Sequence, residues 1–101
     1  MLITIDIGNT NTVVGLYSGE KLLNFYRLSS RDTMTVDEAG LLLFDLCRIN
    51  DTPGNIGGSA MCSVVPALTS RYRAALVKYF NSEPLILTHQ TDTGIIIDYD
   101  I

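Results

Sequence analysis

TIDIGNTNTVVGLY, residues Thr4 to Tyr17, is the stretch on which the reading of this chain turns. An apolar run ends in Asp6, Gly8 follows two positions later, a polar cluster runs from Asn9 to Thr12, and a second apolar run then begins. Two runs rich in β-branched residues with a short polar connection read as neighbouring antiparallel strands. The question is whether Asp6-Ile7-Gly8-Asn9-Thr10-Asn11 only turns the chain or also holds a phosphate.

Working outward, Met1 to Asp6 reads as a buried strand, with Leu2, Ile3 and Ile5 in a short apolar run, and Thr12 to Tyr17 as a second strand. Tyr17-Ser18-Gly19-Glu20 supplies a turn, and Lys21 to Leu28 returns as a third strand. The pattern then changes to a helical period. Thr35-Val36-Asp37-Glu38 fits a capping box, in which the Thr35 hydroxyl accepts from a first-turn N–H and Glu38 reaches back. Val36, Ala39, Leu43, Leu46 and Cys47 follow at helical spacing, and Asn50 to Gly54 ends the helix. The Leu41-Leu42-Leu43-Phe44 run predicts a helix buried on more than one side, with a dimer interface as one way to cover it.

Ile56 to Val65 reads as a strand whose small residues, Gly57 to Ala60, let another backbone pack closely. Pro66 suits a first helical turn, and Leu68, Tyr72, Ala75, Leu76 and Tyr79 form one stripe while Arg71, Arg73 and Lys78 face water. Pro84 to Thr88 is a further strand and Ile95 to Tyr99 a last extended segment. The order is strand, strand, strand, helix, strand, helix, strand. It predicts an α/β domain with three antiparallel strands, then helix-connected parallel ones, and helices covering the sheet. This is the ribonuclease H-like order.

Composition fits one domain. The 101 residues are 47% hydrophobic and 18% charged, which suits a packed core rather than a disordered chain. The net charge of −4, with no Lys/Arg block, argues against a nucleic-acid or anionic-membrane surface but leaves room for one bound nucleotide. The apolar runs are too short to span a bilayer, and the N-terminus lacks the pattern of a signal peptide. Cys47 and Cys62 fall in apolar patterns and read as free buried thiols, and two Cys with one His cannot make a four-ligand zinc site. The expected compartment is the cytoplasm.

An acid at the end of a buried strand is costly unless it is paired, hydrogen-bonded or close to a metal. At Gly8 the missing Cβ lets phosphate oxygens approach the main chain and permits a positive φ. Asn9, Thr10, Asn11 and Thr12 add side-chain donors, and successive backbone N–H groups can form an anion-binding concavity. Asp6 is placed to orient a magnesium ion directly or through water. The competing reading is a plain hairpin whose hydrogen bonds Asp6 accepts. Neither G-x-x-x-x-G-K-[ST] nor G-x-G-x-x-G is present.

D-x-G-x-T at a strand-to-strand hairpin resembles the first phosphate motif of the actin, sugar-kinase and Hsp70-type ATPases. The longer TIDIGNTNTVVGLY resembles the N-terminus of type III pantothenate kinases. FYRLSSRDTMTVDEAGLLL, CSVVPALTSRYRAALVKYF and EPLILTHQTDTGIIIDYD resemble later segments of that family in the same order, so the likeness covers essentially the whole chain.

The resemblance implies ATP-dependent phosphorylation of pantothenate, the first step of coenzyme A synthesis. It also implies a phosphate loop from Asp6 to Val13 (Asp6, Ile7, Gly8, Asn9, Thr10, Asn11, Thr12 and Val13), with Mg2+ near Asp6, and Tyr99 at the pantothenate site. A monovalent cation, K+ or NH4+, and a homodimer are implied for the complete protein. The family's Gly-Ala-Asp-Arg motif, with its general base, the cation residues and the second domain are expected after Ile101. Residues 1–101 are therefore expected to be the N-terminal domain, inactive alone.

Other readings fare worse. A two-metal nuclease needs several converging carboxylates, yet the fourth strand ends in Ser63-Val64-Val65-Pro66, and capping explains Asp37 and Glu38. A nucleotide-binding accessory regulator of transcription from the same family would need a basic surface that these residues lack. A sugar or acetate kinase of the superfamily does not account for the match beyond Asn11. His89, beside Gln90 and Thr91, reads as a solvated loop residue.

Overall fold

Alternation in the first strand sets the architecture. Ile3, Ile5 and Ile7 are completely buried, while Leu2, Thr4 and Asp6 on the opposite face are only half-buried. One side of this strand therefore belongs to a core and the other to the open face of the sheet. The computed structural model describes residues 1–52 and 56–87. Its strands are β1 (Leu2–Ile7), β2 (Asn11–Ser18), β3 (Lys21–Ser29), β4 (Gly58–Ser63) and β5 (Leu85–Leu87), with helices α1 (Val36–Ile49) and α2 (Pro66–Phe80). The expected Ile95–Tyr99 segment lies outside the described residues.

The five-stranded sheet has the order β3-β2-β1-β4-β5. β1 pairs antiparallel with β2 and parallel with β4, so its backbone is bonded on both sides. β3 is antiparallel to β2, with a register irregularity at Leu16/Tyr17, and β5 is parallel to β4. The expected sequence of antiparallel then parallel strands is present, and the mixed α/β fold is of the actin-like ATPase type. This topology brings the ends of β1, β3 and β4, the start of β2 and the N-termini of both helices to one end of the sheet.

Both helices pack on the face carrying Ile3, Ile5 and Ile7, in one cluster with Val14, Leu16, Leu43, Met61, Leu68, Tyr72 and Leu76. Among the described residues the opposite face carries no helix, so the expected covering of the sheet is one-sided here. α1 begins at the capping box read from the sequence. The Glu38 N–H donates to Thr35 Oγ1 at 3.1 Å and the Thr35 N–H to Glu38 Oε1 at 2.8 Å.

The buried stripe of α1 is Ala39, Gly40, Leu43, Leu46 and Cys47. Leu41 is 63% exposed and Phe44 39%, which corrects the expectation of a helix buried on several sides. Pro66 occupies the first turn of α2, as expected. At the other end Asn81 takes a left-handed φ of 54°, and the Ser82 N–H closes onto the Leu76 carbonyl at 3.1 Å. Tyr79 is half-buried rather than fully on the core stripe, and Phe80 fills that place.

The helices meet closely at Gly40. A Cβ there would lie 2.3 Å from Tyr79 Cδ2 and 3.0 Å from its Cγ, so the ring root itself is in the way. The same tyrosine hydroxyl, with the Lys78 ammonium, donates to Asp37 in the first turn of α1. The Tyr79 hydrogen bond, then Lys78, holds the Asp37 carboxyl below its ordinary range. A carboxyl lowered on folding adds stability above its unfolded value, and that share disappears as pH falls through the lowered one. Ordinarily Gly→Ala inside a helix gains stability. Here Gly40→Ala is expected to lose about 1–3 kcal/mol through overpacking, with a smaller loss in a Tyr79→Ala background. Denaturant titration of the four proteins checks this, and equal losses in both backgrounds would dissociate Gly40 from the ring.

Candidate phosphate-binding hairpin

β1 ends at Ile7 and β2 begins at Asn11, so Gly8, Asn9 and Thr10 make the connection. The Gly8 N–H donates to the Asn11 carbonyl at 2.8 Å and closes the turn. Gly8 is not in the left-handed region, where Gly19 alone stands among the described glycines. Its value here is steric: an added Cβ would come within 3.2 Å of the Asn11 carbonyl oxygen. The loop is thus both the expected hairpin and a tight backbone curve.

The residues from Asp6 to Val13 divide into distinct positions. The Ile7 side chain is fully buried in the core, and its carbonyl accepts from the Val64 N–H at 3.0 Å, tying β1 to the β4–α2 connection. Asp6 is half-buried on the opposite face, level with Val13 of β2 and Cys62 of β4. Asn9, Thr10 and Asn11 are exposed at the tip. Thr12 is fully buried, and its hydroxyl meets Ser30 Oγ at 2.8 Å. That pairing directs the Thr12 hydroxyl at the fold, in contrast to the outward donor read from the sequence. Tyr99 and His89 lie outside the described residues.

Ser30 escaped the sequence reading. The available signal was topological: in a meander the end of the third strand lies beside the start of the second, which puts Ser29-Ser30-Arg31 next to the first hairpin. A surface groove continues from there, lined by Asn9, Ser30, Arg31, Asp32, Thr33, Val65 and Leu68. It runs from the hairpin to the N-terminus of α2, and the Arg71 guanidinium donates to the Asp32 carbonyl along its rim.

Beside Asp6, Cys62 is 2% exposed. Burial, and then the Asp6 carboxylate, push its thiol above the ordinary range, since both disfavour a thiolate. Cys47 is raised by burial, against a smaller opposing hydrogen bond from Thr52. Neither Cys47 nor Cys62 is in a disulfide, as the sequence suggested. No group of three or more His, Cys, Asp or Glu side chains converges among the described residues.

An antiparallel meander followed by helix-linked parallel strands, with an acidic glycine hairpin where they converge, is the architecture of an actin-like ATPase-type domain. The family model described as type III pantothenate kinase matches residues 2–101. The chain belongs to that family. It is 36% identical to the type III pantothenate kinase of Bifidobacterium longum subsp. infantis, over 99% of this chain and 40% of that protein. The Roseiflexus castenholzii enzyme of the same name is 44% identical, over 94% of this chain and 38% of its own length. The Geobacter sulfurreducens one is 39% identical, over 99% and 40%. The chain spans about 40% of the length of these curated relatives.

The raised thiols lead to a prediction. Reactivity follows the thiolate, so iodoacetamide at neutral pH is expected to modify Cys47 and Cys62 at least about tenfold more slowly in folded protein than in urea. Mass spectrometry of a time course measures it, and equal rates in the two conditions would contradict the burial of these thiols.

Proposed function

We propose that residues 1–101 form the N-terminal, ribonuclease H-like ATPase-type domain of a protein that transfers the γ-phosphate of ATP to the primary hydroxyl of pantothenate. The product is 4′-phosphopantothenate, and the reaction opens coenzyme A synthesis. The observation carrying this reading is the Asp6–Val13 hairpin, placed where strand ends and helix N-termini converge in a chain matched by the family model over residues 2–101.

Phosphoryl transfer depends chiefly on positioning and on stabilising negative charge. In this reading the main chain at Gly8, Asn9 and Thr10 curves around the nucleotide phosphates, and the exposed side chains of Asn9, Thr10 and Asn11 offer further donors. Asp6 orients the magnesium–nucleotide complex, through water or directly. Magnesium bound with ATP supplies charge neutralisation across the phosphate oxygens. Ile7, Thr12 and Val13 belong to the site as its frame: Ile7 anchors the strand in the core, Thr12 braces the loop from within, and Val13 flanks Asp6.

The family match supports Tyr99 as a pantothenate contact. The general base and the residues for a monovalent cation belong, on this reading, to sequence beyond Ile101, in a second domain closing the cleft. The relatives' greater length supports that arrangement, and with it the inactivity of these residues alone. A homodimeric, cytoplasmic enzyme without nucleic-acid or membrane partners completes the proposal. The net charge of −4, with no Lys/Arg block, supports the part of it that excludes a nucleic-acid partner.

In the complete protein, Asp6→Asn is expected to lower MgATP-dependent phosphorylation of pantothenate about 10- to 100-fold, the usual cost of losing a group that orients a metal. A coupled assay of ADP release measures it. Wild-type turnover in Asp6→Asn would remove Asp6 from the role, and no pantothenate-dependent ADP release by the wild type would remove the reaction.

A further inference from the structure

Ser30 stands one residue past the end of β3 and makes three contacts with the hairpin, all from another strand. Its N–H donates to the Thr10 carbonyl at 2.8 Å. The hydroxyl donates to the Gly8 carbonyl at 2.6 Å. The same oxygen lies 2.8 Å from Thr12 Oγ1. A serine hydroxyl has one proton. With that proton directed at Gly8, the Thr12 hydroxyl must be the donor in the remaining contact. The result is a one-way relay, from Thr12 O–H to Ser30 O–H to the Gly8 carbonyl, in which each bond polarises the next.

The relay fixes a peptide plane. In a trans peptide the carbonyl and the following N–H point in opposite directions. Holding the Gly8 carbonyl toward Ser30 therefore turns the Asn9 N–H away from Ser30. At position 8 the Asn11 carbonyl leaves a side chain little room. The missing Cβ of Gly8 also leaves the Gly8–Asn9 peptide easier to swing than one between two substituted residues. Ser30 supplies the restraint that glycine lacks. The turn itself has separate support in the Gly8–Asn11 hydrogen bond and the β1–β2 ladder, so the hydroxyl contributes orientation rather than the fold.

We infer that Ser30 is a positioning residue of the phosphate loop, holding the Gly8–Asn9 peptide so that the Asn9 N–H is presented to a nucleotide phosphate. The inference rests on the proposed function, and it assigns a role to a residue outside the Asp6–Val13 segment. It touches no substrate and acts through Gly8.

The test uses the complete protein and MgATP, with binding followed by calorimetry and steady-state kinetics run for both substrates. Ser30→Ala is expected to weaken MgATP binding and raise KM for ATP about tenfold, the scale of one lost oriented hydrogen bond. KM for pantothenate is expected to stay unchanged. Ser30→Thr, which keeps the hydroxyl, is expected to return ATP affinity to within about twofold of wild type. If Ser30→Ala does not fold, Ser30→Thr against Ser30→Val makes the same comparison, because these side chains differ by a hydroxyl for a methyl. ATP affinity equal in the hydroxyl-bearing and hydroxyl-less variants overturns the assignment. So does an equal rise in KM for both substrates, the mark of general loosening. Wild-type protein that does not bind MgATP instead overturns the proposed function, and this inference with it.

Discussion

β1 is hydrogen-bonded on both flanks, and this double pairing is the constraint from which the other elements take their places. Its antiparallel partner must leave from the strand's C-terminal end by a tight turn, while its parallel partner must arrive by a helical crossover. Both requirements put a connection at the same end of the sheet. The alternation of β1 then assigns Ile3, Ile5 and Ile7 to the helices and Asp6 to the opposite face. The acid, the glycine turn and the α2 N-terminus come together because β1 turns into β2 at Gly8 while β4, parallel beside it, ends at the same edge and leads into α2.

Much of this could be read before any coordinates. β1, β2 and β3 were legible because their signals are local: alternating or continuous apolar runs separated by polar turn residues. The α1 start was legible because the Thr35–Glu38 reciprocity spans only three residues, and Pro66 marked α2 for a similarly local reason. The limits of β4 were less clear. The sequence pattern extends over Ile56–Val65 while the strand runs Gly58–Ser63; at its end the Ser63 hydroxyl accepts from the Val65 N–H and turns the chain toward α2. The hairpin's location and its dual character as turn and curved backbone were also legible.

What escaped the sequence depends on residues far apart in the chain. The Ser30 relay joins positions separated by 18 and 22 residues. The Gly40–Tyr79 contact joins two helices, and nothing around Gly40 announces an aromatic ring. Thr12 looked like one more polar group in a polar cluster. Strand alternation put it on the same face as Val14 and Leu16, where a hydroxyl needs an internal partner. The composition of the Leu41–Phe44 run does not say which helical face meets α2. Gly40, Leu43 and Leu46 take the contacts and Leu41 is left outside.

The sheet also has an opposite end, and its character differs. The β2–β3 turn at Ser18 to Lys21 is exposed throughout, and Gly19 has a φ of 63° with nothing within 4 Å of where a side chain would start. The β1–β2 rungs from Tyr17 to Thr12 separate this turn from the Gly8 hairpin. The two ends of β2 are therefore mechanically uncoupled in sequence tolerance. Extra residues at Ser18–Glu20 lengthen a solvated loop at small entropic expense, while one added carbon at Gly8 disturbs a backbone contact. This gives the molecule a natural attachment point, where a fluorophore or an inserted peptide can ride without entering the site.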